Sequence, residues 1–327
     1  MKEFSYLRAS SADQAREAAA RQGAMVIAGG TTLLDLAKCG IAAPETVVDI
    51  TFLSGLDAIS STETGVTIGA LAKMSEVAEH RVIREAFPAI SQSLSLAASA
   101  QLRNMATIGG NLLQRTRCAY FRDPAVFKAC NKREPGSGCS AIGGMTRNHA
   151  VLGTSEHCIA VNPGDLAVAL VAFDAVIHLG VRQIAVDDFF LAPGNTPQLE
   201  HEIERGELIT AIFIPASQAA RRSIYLKVRD RQSYEFATAS AAVGLELEED
   251  GKTIRDLRVA LGGVATKPWR ARAVERALIG KTVEAAAIAK ASVLAIEGAI
   301  DHGANRYKID LAPRVVARAI QRLGGLA

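Results

Sequence analysis

No stretch of this 327-residue sequence approaches the roughly 20 consecutive apolar residues that cross a bilayer, so a membrane-spanning role is not expected. Charge of one sign is also lacking: 37 Lys and Arg stand against 34 Asp and Glu, interspersed along the chain. That balance leaves no electrostatic footprint for nucleic acid or an anionic membrane surface. Residues Met1 to Leu7 contain no apolar h-region and no twin arginine, so unaided export is not expected. The cytoplasm is the default compartment, and the periplasm would require a partner that carries the signal. There is no Walker A loop and no G-x-G-x-x-G fingerprint, which disfavours ATP and NAD. No Ser/His/Asp or Cys/His constellation stands out, and the six histidines have no metal-like spacing.

What is present begins with cysteine. Five is an odd number for a disulfide framework, and the distribution is uneven. Cys39 stands alone, whereas Cys118, Cys130, Cys139 and Cys158 fall within 41 residues. Such clustering points to metal rather than to disulfides. The spacing matches neither a zinc-ribbon C-x2-C pair nor a ferredoxin C-x2-C-x2-C run, so four-cysteine zinc and [4Fe–4S] remain equally compatible with it. Unrelated free thiols are the plain alternative. Arg115, Arg117, Lys128, Lys132 and Arg133 lie nearby and would offset cluster charge, and His157 beside Cys158 is a candidate to orient a ligand.

The chain divides into three zones. Up to about residue 115 strand-like and helix-like patterns alternate, as in αβ units. Ser11 is placed to cap a helix through Gln14, with Gly23 ending it, and Met25 to Ala28 reads as a buried strand. Residues 75–102 read as mostly helical. Residues 116–158 break the pattern, and so long an irregular segment inside a compact domain needs something to order it. A helix resumes from Asp165, and Glu207 to Ile214 reads as a strand. Beyond residue 220, strands over 224–229, 237–247 and 257–262 precede helices over 270–279, 282–300 and 312–323, an α+β pattern.

Two glycine turns are candidates for phosphate. Gly29-Gly30-Thr31-Thr32 joins a strand to a helix, where backbone amides can approach an anion and threonine hydroxyls can donate to it. Thr107-Ile108-Gly109-Gly110-Asn111 is the second, with a sharp turn and a left-handed Asn111 as its purely structural reading. About 80 residues apart, the two could flank one extended ligand. Lys227, Arg229 and Arg231 share one face of a strand. That face is either solvated or presents Lys227 to a phosphate or a reduced flavin.

Taken in order, these motifs resemble the FAD-binding subunits of molybdenum hydroxylases, the group that includes xanthine dehydrogenase, carbon monoxide dehydrogenase and aldehyde oxidoreductases. The resemblance runs through Ala28 to Leu34, Ile68-Gly69-Ala70, Thr107 to Asn111, Tyr225 to Arg229 and Ala260 to Trp269. It implies an α+β fold: a vanillyl-alcohol-oxidase (PCMH) type FAD domain of two α/β subdomains over 1–219, with an iron–sulfur insert at about 116–158. A C-terminal domain over 220–327, of the CO dehydrogenase flavoprotein type, would add a three-stranded antiparallel sheet with helices.

Position by position, the resemblance implies that Val26, Ile27, Ala28, Gly29, Gly30, Thr31, Thr32, Leu33 and Leu34 cradle the FAD pyrophosphate. Leu102, Thr107, Gly109, Gly110, Asn111, Ile209 and Lys227 would line the rest of the cofactor. The usual family pattern runs from Gly-Gly-Asn through a short polar stretch directly into the next helix. Here Gln114 to Cys118 opens the insert and Cys158-Ile159-Ala160 closes it. The insert resembles that of the flavin subunits of bacterial aldehyde oxidoreductases, which implies a [4Fe–4S] cluster on the four cysteines. The subunit of 4-hydroxybenzoyl-CoA reductase also carries a cluster insert. The implied partners are a large molybdenum-cofactor subunit and a small [2Fe–2S] subunit, with electrons passing to this FAD and on to an external acceptor. A self-contained flavin oxidoreductase and a zinc-stapled non-enzymatic module are the competing readings.

Overall fold

The computed structural model describes residues 1–326 and contains three sheets. Ala327, the last residue of the expected C-terminal domain, lies outside the described residues. The first sheet is parallel, in the order β1 (Ser5–Arg8), β3 (Thr46–Asp49), β2 (Ala24–Ile27). The crossover from β1 to β2 is the helix Ala12–Ala19, whose Ser11 side chain accepts a hydrogen bond from the Gln14 amide at 3.2 Å. Its buried Ala15 and Ala18 pack with Val48, Ile50, Leu71 and Leu208 in a small separate core. The helix ends before Gly23, which instead turns the chain into β2 with φ of +74°.

The second sheet is antiparallel, in the order β4 (Ile59–Thr62), β5 (Gly65–Gly69), β8 (Ala211–Pro215), β6 (Val176–Leu179), β7 (Arg182–Ala185). Sequence reading captured β5, and the run from Glu207 yields strand only from Ala211. It missed β4, β6 and β7, each four residues long and without a strong alternating pattern. The stretch expected to be mostly helical is four short helices, Met74–Glu79, Arg81–Ala86, Pro88–Ser95 and Ala100–Met105. Pro88 cannot continue a preceding helix but suits the first turn of a new one, and so it forces one of the breaks. The helix Asp165–Ala172 is buried at all eight positions and packs against the helix Pro88–Ser95 and the third sheet.

The third sheet is antiparallel, in the order β12 (Trp269–Arg270), β11 (Ile254–Gly262), β10 (Ala239–Leu247), β9 (Ser223–Val228). Three long strands are as expected, and the two-residue β12 adds a fourth beside β11. Helices Arg272–Leu278, Ala285–Ser292 and Tyr307–Leu323 follow, the last lying across β10 and β9.

The insert, which falls between β5 and β6 in the chain, has one four-residue helix, Ala119–Arg122, and otherwise only isolated bridges such as Cys130 with Cys139. Polar side chains order it. The Arg133 guanidinium donates to the backbone carbonyls of Tyr120, Phe121, Phe127 and Lys128. Asn131 Oδ1 accepts from the amides of Gly136 and Gly138, while its Nδ2 donates to the His157 carbonyl. Each bond satisfies a backbone group that has no ladder partner. The end of the insert is tied to the C-terminal unit, the amides of Val151 and Leu152 donating to the Val264 carbonyl.

Candidate functional site

The two glycine turns come together. Val26, Ile27, Ala28, Gly29, Gly30, Thr31, Thr32 and Leu33 from the first line a cavity of about 320 Å³ with Thr107, Gly109 and Gly110 from the second, and with Ile209 ahead of β8. Two positions admit only glycine. A Cβ on Gly29 would stand 2.0 Å from the Met105 carbonyl oxygen, so no side chain fits between loop and helix. Gly30 has φ of +72°, the left-handed region. In the second turn, the Gly109 amide donates to the Ala70 carbonyl at 2.8 Å, and Thr107 Oγ1 accepts from the Gly110 amide at 3.3 Å.

Four expected residues stand elsewhere. Leu34 and Leu102 do not line this cavity, and Leu34 is exposed. Asn111 is not left-handed: it lies inside the helix Ile108–Leu112, its amide nitrogen 3.4 Å from Met74 Sδ and its buried Oδ1 unpartnered. Lys227 is withdrawn into an ion pair, 2.8 Å from Asp165 Oδ2 with its side chain 1% exposed, and it also donates to the Leu96 carbonyl. The Tyr225 hydroxyl donates to the other Asp165 oxygen at 2.7 Å. Burial pushes the Asp165 carboxyl upward, with Lys227 opposing it. Arg229 likewise turns back to the Leu96 carbonyl, whereas Arg231 lies beyond β9 and is exposed, so the expected face is internal only at Lys227 and Arg229. Lys227 therefore does not line the glycine-turn cavity, and its partner Asp165 lines a second one.

That second cavity, about 490 Å³, lies between the insert and the C-terminal sheet, with Arg117, Cys118, His149, Asp165, Tyr225 and Lys308 in its wall. Burial, with a smaller effect of Arg147, brings the Lys308 ammonium down to about 8. Its Nζ donates to the Gly263 carbonyl at 2.7 Å.

All four clustered cysteines line a third, small cavity, and none is in a disulfide. Among the described residues no group of three or more His, Cys, Asp or Glu side chains converges closely enough to hold a single metal ion. Burial pushes Cys118 up to about 12 and Cys158 up to about 11, so without a cation both stay protonated near neutral pH. Of the five basic residues flagged near the cysteines, only Lys132 lines this cavity. It pairs with Glu200 at 2.9 Å, and Glu200 also pairs with Arg115, which lines the glycine-turn cavity. Burial works against the Glu200 carboxylate, but Lys132 and Arg115 outweigh it and hold it below the usual range. Arg117 joins Arg122 on Asp35, Arg133 staples the backbone, and Lys128 reaches only the Pro124 carbonyl. Two histidines lie near the cysteines: His157, exposed overall, lines their cavity beside Cys158, whereas His149 lies outside that lining with its Nε2 3.2 Å from Cys118 Sγ. His149 is 31 residues from Cys118, so adjacency to a cysteine in sequence could not reveal it.

Two family models account for most of the chain. A FAD-binding domain in molybdopterin dehydrogenases matches residues 2–217, and the C-terminal domain of CO dehydrogenase flavoproteins matches 224–323. The chain belongs to the FAD-binding medium subunits of the molybdenum hydroxylases. This flavin subunit is 46% identical to the aldehyde oxidoreductase FAD-binding subunit PaoB of Escherichia coli K12, over 85% of this chain and 86% of that one. It is 28% identical to the glyceraldehyde dehydrogenase medium chain of Sulfolobus acidocaldarius, over 85% and 82% respectively. Its fold matches that of carbon monoxide dehydrogenase from Hydrogenophaga pseudoflava with a TM-score of 0.75, covering 100% and 99% of the two chains at 24% identity. The flavin subunit is thus part of an FAD-dependent oxidoreductase complex. The glycine-turn cavity suits such a cofactor, because it offers amides free of intruding Cβ atoms to an anion beside an apolar floor.

Proposed function

We propose that this flavin subunit serves a molybdenum-containing aldehyde oxidoreductase and carries two redox groups, FAD and a [4Fe–4S] cluster. When bound, FAD supplies the redox chemistry by which electrons from partner [2Fe–2S] centres reach an external acceptor. The protein's share is binding and orientation. The amides of Gly29 to Thr32 and the hydroxyls of Thr31, Thr32 and Thr107 hold the phosphates. Ile209, Ala70 and Leu71 keep water from the apolar wall, and Arg115 adds a fixed cation.

Cys118, Cys130, Cys139 and Cys158 hold the cluster. The observation carrying this is that all four cysteines line one small cavity in a segment tied to the glycine cradle. Four thiolates suit a [4Fe–4S] cluster or zinc equally in number, and a place beside the flavin cradle favours the redox-active group. Insert and cradle are linked through Lys132, Glu200 and Arg115, which supports a cluster beside the flavin rather than at a remote surface. The aldehyde assignment rests on the likeness to the E. coli subunit. Aldehyde oxidation itself occurs at the molybdenum cofactor of a large partner subunit, with a small [2Fe–2S] subunit between. The cytoplasm is the proposed compartment of the complex, and export with a signal-bearing partner to the periplasm is the alternative.

The test is anaerobic purification with co-expressed partner subunits, followed by visible spectroscopy and quantification of flavin, iron and sulfide. Flavin with iron and sulfide beyond the partners' [2Fe–2S] content is expected. Zinc in place of iron would overturn the cluster, and a flavin-free complex would overturn the whole reading.

A further inference from the structure

His149 stands where the cysteine cavity and the 490 Å³ cavity meet. Cys118 lines both spaces, and His149 lines the larger one while its Nε2 lies 3.2 Å from Cys118 Sγ. The imidazole is 5% exposed and packs beside the Tyr120 ring with centroids 5.8 Å apart. Its backbone is fixed on both sides. The His149 amide donates to the Thr146 carbonyl at 2.8 Å, the Ala150 amide to the Ile159 carbonyl, and Asn305 Nδ2 to the Ala150 carbonyl. The ring therefore has little freedom to leave Cys118.

The other ring nitrogen decides the direction of the hydrogen bond. His149 Nδ1 is buried and has no partner. A neutral imidazole carries one N–H, and a buried donor without an acceptor costs more than a bare acceptor without a donor. The proton therefore belongs on Nε2, where it meets sulfur. Donation to a thiol is weak, but donation to a thiolate is charge-assisted and roughly twice as strong as a neutral bond. The sulfur becomes a thiolate when it ligates a metal.

We propose that His149 is a positioning residue for the cluster, donating its Nε2–H to the Cys118 ligand and raising the cluster's reduction potential. This rests on the four cysteines holding a [4Fe–4S] cluster. A hydrogen bond to a ligand sulfur favours the more negative, reduced cluster, so its loss moves the potential downward. Because Cys118 also borders the larger cavity, His149 acts at the one cysteine ligand that the two cavities share.

The test uses the assembled complex with His149→Phe and His149→Gln. Phenylalanine fills the space without a donor, and glutamine keeps an N–H near the Nε2 position. Iron, sulfide and flavin are quantified first, and the cluster is then titrated by electron paramagnetic resonance at fixed pH. His149→Phe is expected to load iron and shift the cluster midpoint to a more negative potential. His149→Gln should stay close to wild type, with the flavin midpoint unmoved in both. If His149→Phe fails to load iron, restored loading in His149→Gln supports the donor role, and equal failure of both overturns it. An unshifted midpoint in iron-loaded His149→Phe also overturns it. A wild-type complex without the additional iron would instead overturn the cluster assignment, and the role of His149 with it.

Discussion

The glycine cradle and the cysteine insert lie side by side and are built in opposite ways. The cradle is made where regular elements end: β2 into the helix Leu33–Lys38, and Met105 into the helix Ile108–Leu112. Its surface is backbone, and its specificity comes from missing side chains at Gly29 and Gly30. The insert has almost no regular structure and is held by side chains, above all Arg133 and Asn131. A phosphate-bearing cofactor needs converging amides, which strand–turn–helix junctions supply. A cluster needs four thiols at fixed points, which an irregular chain can present once its carbonyls are satisfied. The two regions should therefore fail separately.

The strongest way to break this comparison is Gly29→Val. The new side chain would meet the Met105 carbonyl, at a cost of about 3 kcal/mol of overpacking strain. Flavin per chain should fall to near zero while additional iron is retained, and loss of both together would show that the regions are one cooperative unit. Arg133→Ala is the reciprocal change. It strips donors from four carbonyls at about 2 kcal/mol for groups partly open to water. Proteolysis should then cut within 120–140 and iron should be lost with flavin kept.

Glu200→Gln acts on the link between the two. It weakens both pairs at once and should lower the melting transition by an amount equivalent to about 1–2 kcal/mol, discounted for partial exposure. The folded pKa of Glu200 is depressed, so its contribution is fully present above the unfolded value, about 4.3, and is lost as pH falls through the folded one. Thermal melts from pH 7 down to 3 should show wild type losing more stability than Glu200→Gln in that acid window. An identical acid dependence would mean that the link carries no stability. The smallest effect is expected at Gly136→Ala, where φ is +87° and the space beyond is open, costing about 1 kcal/mol with both cofactors kept.

Legibility in the sequence followed the same divide. The glycine turns could be read because their chemistry is local: strand, Gly-Gly, threonines and helix lie in one short run. The cysteines could be read as a set from their crowding, though not their metal. Lys227 could not be placed, because its partners Asp165 and Leu96 lie 62 and 131 residues away. A period-two pattern shows which residues share a face but not what that face meets. Asn111 went astray because Gly-Gly-Asn suggests a turn, whereas Thr107 caps a short helix through it. The contacts of Glu200 with the insert, and of His149 with Cys118 inside it, exist only after folding, and nothing in their neighbourhoods marks them.

The central claim is that one chain holds flavin in the cradle and a [4Fe–4S] cluster in the insert. Its most direct test is iron and sulfide per flavin in the wild-type complex and in the complex carrying Cys130→Ser. Measuring the difference removes the partners' [2Fe–2S] contribution. The account predicts that Cys130→Ser keeps its flavin and loses about the four irons and four sulfides of one cluster. Equal iron in the two complexes, or loss of flavin together with the iron, would contradict it.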